Sequence, residues 1–289
     1  MDIIKKIFKI ILLTITTLAI ILTLAFNLTL LYVDKHIDER IPKNVYNDCH
    51  KMWSSRGIYN TRAEQNTLLS LDRAIKAGHI GFEIDFYYDS KMDRFIISHD
   101  RPTKDKDGNL HYTLKNGRLL TLKEVFEKFG KGRYFWLDYK NLDRISKEES
   151  LKAVKRLEKI SKIHNMKERI YIEGCKPWML SFYDKKGFKT LLSFHPLPKS
   201  YPFHSASSNF FKMVYYFSSS TALALEYGKL NDPKYTKTTK ENLKNIPQFI
   251  FHVPPKEKLL KKLVKEPDIR VLLAGKGESV DFGYITNCK

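Results

Sequence analysis

The chain has 289 residues, three cysteines, 43% hydrophobic and 29% charged residues, and a formal net charge of +19. This leaves room for one large α/β domain or two small ones, is too apolar for disorder, and is too poor in cysteine for a disulfide scaffold, with no C-x-x-C spacing for zinc. The excess lysines are scattered without an arginine-rich run or nucleic-acid motif, so no nucleic-acid partner is expected; the charge reads first as a lysine-rich solvated surface and second as one that also attracts phosphate-bearing substrate.

Residues 1–6 form a short N-terminal segment, followed by an apolar stretch over 7–33 whose only charge is Lys9. About 20 apolar residues span a bilayer. The stretch is longer than the 7–15-residue core of a cleavable signal, and no A-x-A follows it. It is therefore expected to be an uncleaved transmembrane anchor. Lys5, Lys6 and Lys9 precede it, whereas acidic Asp34, Asp38 and Glu39 mix with Lys35 and Arg40 after it. The positive-inside rule then puts the N-terminus in the cytoplasm and the main domain on the outer side of the membrane. Residues 34–44 read as a linker.

Residues 45–289 have about the length of a single (β/α)8 barrel. Short apolar runs recur at 82–88, 94–100, 133–140, 169–174, 189–194, 249–253 and 282–286. Helical stripes lie between several of them, at Thr67–Ala77, Leu122–Phe129 and Leu151–Ile163. Doubly buried strands alternating with helices imply a parallel sheet. Only six residues, Asp89 to Arg94, separate FEIDFYY from FIISHD. A parallel crossover needs about a dozen, so these two runs are expected to form an antiparallel hairpin on the rim. The stretch 196–240, rich in Ser, Pro and aromatics, reads as a loop insertion.

Charge within such strands points to chemistry. Glu83 and Asp85 sit two apart in FEIDFYY and so project to one side of the strand, about 7 Å apart along it. Asp138 ends another run, with Lys140 two residues on and on the same side. Like carboxylates are costly to bury unless a cation pairs with them, and strand C-terminal ends form the active face of a barrel. Glu83, Asp85 and Asp138 are therefore candidate ligands for Mg2+ or Ca2+, and Lys140 supplies a point charge for phosphate. His99 closes the hairpin strand, where an imidazole can give a proton to a leaving alkoxide.

Taken in order, SRG at 55–57, EQNT at 64–67, A-x-x-A-G-x-x-G-x-E-x-D from Ala74 to Asp85, ISHD at 97–100, LLTLKEVFE at 119–127, LDYK at 137–140 and GYITN at 283–287 resemble the glycerophosphodiester phosphodiesterase family. The resemblance covers most of residues 50–140 and the expected last strand. It implies a TIM barrel with the hairpin above, a divalent metal on Glu83, Asp85 and Asp138 (Asp where the family usually has Glu), and catalytic roles for His99, Lys140 and Arg56. Ser55, Arg56 and Lys140 match the substrate-binding positions, and Glu64 matches the family's acidic residue in the E-N-T segment. Ser55-Arg56-Gly57 stands where the family has His-Arg-Gly, so the first of its two catalytic histidines is absent. The related sphingomyelinase-D-type phospholipases, with two histidines and three carboxylates, would show the same gap. His50 is placed too low to replace it, and His79 reads as a surface residue. His195 and His252 end later strands without being singled out. A Cys49–Cys288 disulfide is not expected, because Cys49 reads as low on the first strand and Cys288 as above the last.

Two readings follow. One is a membrane-anchored, metal-dependent phosphoric diester hydrolase acting on glycerophosphodiesters, lipid head groups or phosphate-linked surface polymers. The other is a catalytically weak or inactive relative that binds a phosphorylated ligand.

Overall fold

Short apolar strands buried on both faces need a neighbour at each edge, and in this chain they find them by closing into a ring. The computed structural model describes residues 2–288, so Met1 and Lys289, the outermost positions of the expected 1–6 and 45–289 segments, lie outside the described residues. Two compact units are present, Met1–Ile41 and Pro42–Lys289.

The first unit is helix α1 (Asp2–Arg40). Its most apolar window has a mean hydropathy of 2.4 and is 0% buried, so the helix is long and apolar enough to cross a membrane. The hydroxyls of Thr14, Thr16 and Thr23 donate to carbonyls one turn back, at 2.8–2.9 Å. These polar groups thus need no water, as a bilayer demands. The helix also runs through 34–40, most of the segment expected as a linker. No Gly or Pro interrupts it before Pro42, the first residue lacking an N–H.

In the second unit the strands are β1 (Met52–Ser55), β2 (Gly81–Asp89), β3 (Arg94–Ile97), β4 (Thr103–Lys104), β5 (Leu110–His111), β6 (Tyr134–Tyr139), β7 (Ile170–Gly174), β8 (Lys189–Phe194), β9 (Ala222–Glu226), β10 (Gln248–Val253) and β11 (Ile269–Ala274). The helices are α2 (Leu68–Lys76), α3 (Leu122–Phe129), α4 (Lys147–Ser161), α5 (Pro177–Asp184), α6 (His204–Phe217), α7 (Lys237–Asn242) and α8 (Glu257–Leu263). Strands β1, β2 and β6 to β11 pair in parallel and close through β1–β2 and β1–β11, making an eight-stranded TIM barrel. β3 pairs antiparallel with β2, which is the expected hairpin. Thr67, Thr121 and Ser146 cap α2, α3 and α4 through capping boxes that satisfy the first free N–H groups.

Four expectations fail. Residues 196–240 hold α6 and β9 rather than a loop insertion, and the run at 282–286 is not a strand. β11 takes its place in the ring, and the chain after it forms a tail that returns towards the start of the barrel. Gly283 lies so close to the 77–79 segment that a Cβ there would sit 2.4 Å from the Ala77 carbonyl oxygen. The Asn287 N–H donates to the Cys49 carbonyl at 3.0 Å. This return brings Cys288 to Cys49, with Cα atoms 4.9 Å apart, and the two are disulfide-bonded. The same tail covers His79, which is 2% exposed rather than a surface residue.

Inside the ring, alternate residues build two layers. The lower is apolar: Trp53, Trp136, Tyr171, Leu191, Ala222, Ala224, Phe249 and Val271 pack in one cluster, plugged by Tyr46. Gly81 faces the Trp53 indole, where a Cβ would meet the ring at 2.2 Å, so β2 can pass this large side chain only as glycine. Two residues further along several of these strands, the inward positions become Ser55, Glu83, Asp138, Glu173 and Ser193. A dry aromatic floor thus carries a polar layer at the strands' C-terminal ends.

Candidate active site

The polar layer lines a cavity of about 330 Å³. Ser55, Arg56, Glu83, His99, Asp138 and Lys140, all expected from sequence, contribute to its wall. Asp85 lies directly behind it, fully buried.

Asp85 is the electrostatic centre. Its Oδ2 accepts from Asn66 Nδ2 at 2.8 Å and pairs with Arg56 Nε at 2.7 Å, and its Oδ1 meets Lys140 Nζ at 2.6 Å. Lys140 also pairs with Asp138. Arg56 reaches this position because the chain leaves β1 through two left-handed residues, Arg56 (φ 61°) and Gly57 (φ 81°). Gly57 packs so tightly on Ser70 that a Cβ would lie 2.4 Å from its carbonyl carbon. A larger residue would have to push α2 away and turn Arg56 off the carboxylates.

Three carboxylates thus share two cations, and the surplus is visible in their protonation. Burial, and then the charge of Asp85, push the Glu83 carboxyl well above the ordinary range. Burial also raises Asp138, although Lys140 opposes it. Burial acts the same way on Asp85, but Lys140 and Arg56 outweigh it and hold that carboxyl below its usual value. Oxygens of Glu83, Asp85 and Asp138 all lie within 4.8 Å of one another. A set of hard oxygen donors short of positive charge fits a divalent cation of the Mg2+ or Ca2+ type.

Ser55 makes a different contact from the one an imidazole would offer. Its hydroxyl donates to Glu83 Oε2 at 2.8 Å. His99 stands on the hairpin side of the cavity, with Nδ1 3.0 Å from Asp100 Oδ1, and Arg62 pairs with the same carboxylate at 2.9 Å. Glu64 does not line the cavity. It pairs with Arg73 and accepts from the Asn60 N–H, and its neighbour Asn66 is the residue that reaches Asp85.

The far wall is scarcely legible in the sequence. Glu226, at the end of β9, is 6% exposed. It accepts from His195 Nδ1 at 2.7 Å, lies 3.4 Å from His252 Nδ1, and pairs with Lys234 and Lys276. The bonds from His195 and His252 lead in holding its carboxyl far below the usual range. His195 follows Ser193 by two residues and so takes the inward side of β8. Nothing comparable marks His252, whose neighbour Phe251 holds the inward position.

Glu173, on β7, accepts from Trp136 Nε1 at 2.5 Å. Burial, and then Asp138, push its pKa up to about 8. A carboxyl whose pKa is raised by folding stabilises fully below its ordinary pKa. That contribution is lost as pH rises from about 4.5 through about 8, because only the unfolded chain ionises freely there. Glu173→Gln keeps the acceptor for Trp136 and removes the titration. Between pH 5 and 8 the native Tm should therefore fall several degrees further than that of the variant, on the order of 2–4 °C per kcal/mol. Parallel melting curves across this range would exclude a buried, neutral Glu173.

No protein-family model and no curated protein matches this chain. Solved structures do. A glycerophosphodiester phosphodiesterase from Thermotoga maritima is 20% identical, with a TM-score of 0.52 over 79% of this chain and 95% of that one. One from Parabacteroides distasonis is 14% identical, with a TM-score of 0.52 over 79% and 93%. One from Agrobacterium tumefaciens is 10% identical, with a TM-score of 0.52 over 81% and 99%. At these identities the likeness is one of fold, and the barrel unit has the fold of these proteins.

Proposed function

We propose that the barrel is a divalent-metal-dependent phosphoric diester hydrolase that acts on glycerophosphodiesters or on head groups built like them. The observation that carries this reading is the carboxylate trio flanked by Arg56 and Lys140, with His99 across the same cavity. The fold shared with glycerophosphodiester phosphodiesterases supports it.

Glu83, Asp85 and Asp138 would hold Mg2+ or Ca2+, which when bound supplies Lewis-acid polarisation of a phosphoryl oxygen. Arg56 and Lys140 attract and orient the phosphodiester anion through charge-assisted hydrogen bonds. His99, its ring set by Asp100 through Nδ1, gives a proton from Nε2 to the departing alkoxide. The aromatic floor keeps water out from below, so these charges act in a medium of low polarity. The native domain should hydrolyse glycerophosphocholine with added Mg2+ or Ca2+ and stop when the cation is chelated. If it turns over no phosphodiester yet binds glycerophosphate, the site is a phosphate-binding module. Ser55, which cannot act as a base near neutral pH, favours that second reading.

The apolar helix and the lysines ahead of it support a single-pass anchor with the barrel on the outer face. The Cys49–Cys288 bond agrees with that side, since disulfides persist in oxidising compartments. A reporter enzyme that works only outside the cytoplasm, fused after the barrel, should be active. Silence there, with an active cytoplasmic reporter, would reverse the orientation.

A further inference from the structure

The phosphodiesterase reading leaves one proton without an acceptor. His99 serves the leaving group, and Ser55 occupies the position from which a second imidazole would serve the attacking one. Among the histidines that reach the cavity, the backbone singles out His252.

Consecutive strand residues point to opposite sides, so with Phe251 directed inward His252 should face the helices. It lines the cavity all the same, because β10 is broken at this point. Its pairing with β11 shifts register between Ile250 and Val253, and His252 itself is left-handed at φ 52°. A bulge of this kind re-aims one side chain, and the left-handed backbone that turns His252 is uncommon for a non-glycine residue, although histidine adopts it more readily than most. The turned ring meets Glu226 through Nδ1 at 3.4 Å, and its Nε2 has no hydrogen-bond partner among the described residues. An imidazole oriented by a carboxylate through one nitrogen and open at the other is the arrangement of an activated base, and such bonds are often long before substrate binds. His195 shares Glu226, but its side chain is 59% exposed, against 29% for His252. In the ring His195 on β8 stands four strands from β1, whereas His252 on β10 stands two away.

We infer that His252, aimed by the β10 bulge and oriented by Glu226, is the second proton-transfer residue of this site and performs the part that Ser55 cannot. His252 is then catalytic and Glu226 a positioning residue. In the step, Nε2 of His252 takes one proton of the attacking water as the water oxygen bonds to phosphorus. The phosphorus–oxygen bond to the alcohol breaks, and His99 protonates the departing oxygen. Both rings return to their starting states by exchange with solvent. The charged and titratable groups around His252 are Glu226 from β9, His195 after β8, Lys229, Asp232 and Lys234 after β9, and Lys276 and Glu278 after β11, with Arg56, Glu83, Asp138, Lys140 and Glu173 across the cavity.

The inference rests on the hydrolase reading, and the test separates the two. His252→Asn is the useful variant, because Asn tolerates left-handed backbone and the fold should survive. With glycerophosphocholine and saturating Mg2+ or Ca2+, kcat should fall about 10²-fold with KM little changed. The acid limb of the pH profile, where the base becomes protonated, should disappear. Glu226→Gln should lower kcat less, with KM little changed, and should alter the pH profile of kcat, an effect that mere structural support would not produce. Adding Ser55→His to His252→Asn should restore part of the lost turnover. A His252→Asn protein within about threefold of native and with its acid limb intact would overturn this inference alone. So would loss of that limb in His195→Gln instead. No turnover by the native protein would overturn the hydrolase reading as well.

Discussion

An Asp85→Ala protein is expected to bind no divalent cation and to turn over at least about 10²–10³-fold more slowly than native, the scale on which losing one preorganised electrostatic group acts. The reason is convergence. Asn66, Arg56 and Lys140 all reach this one fully buried carboxylate, and through it the two cationic side chains proposed to orient phosphate are held. Without it, Arg56 and Lys140 turn to Glu83 and Asp138, occupying the oxygens that would face a cation. Stability should change less than catalysis. Breaking a buried pair costs about 3–5 kcal/mol, but Lys140 keeps Asp138, and Glu83 is freed from a like charge. A net loss of about 1–3 kcal/mol is expected. Calorimetric titration of the barrel unit with Mg2+ and Ca2+ should show one site in the native protein and none in the variant. Equal binding in both would exclude a site shared by the three carboxylates.

His99→Ala should cost about 10²–10⁴ in kcat. The size of the loss should depend on the leaving group. An alkoxide such as that from glycerophosphocholine needs a proton as it departs, whereas an aryl oxide is stable without one. The variant should therefore be much slower than native on glycerophosphocholine and only slightly slower on a generic aryl phosphodiester. An equal loss on both substrates would assign His99 to binding, and no loss on either would remove it from the mechanism.

Half of this site is legible in the amino-acid sequence because its chemistry is local. Glu83 and Asp85 are two residues apart on one strand, Asp138 and Lys140 repeat the spacing, and a gap too short for a crossover forces the hairpin that carries His99. The long apolar helix is legible for a similar reason, since its signal is an unbroken run. Other features depend on pairings that sequence spacing does not encode. Strand β9, ALALE, is short, lacks β-branched residues and lies in a stretch dominated by Ser and Pro. The run at 282–286 imitates a last strand and hides β11, and counting it as one puts Cys288 at the wrong end of the barrel. His252 is the sharpest case. Strict alternation would turn it outward, and only the bulge in β10, which has no Gly or Pro to announce it, turns it in.

In the proposed topology, with α1 as a membrane anchor, the disulfide has a consequence for how the barrel could be lost. Cys49 follows the anchor helix by a few residues, and Cys288 lies 239 positions further along the chain. Nearly the whole barrel is therefore a covalent loop hung from one stem. A protease that cuts anywhere inside this loop leaves both fragments attached to the helix, one through the backbone and the other through sulfur. Only a cut before Cys49, or reduction after a nick, can separate the barrel from the helix. Nicking and release thus become separate chemical events, and a barrel damaged in one loop stays where it was built.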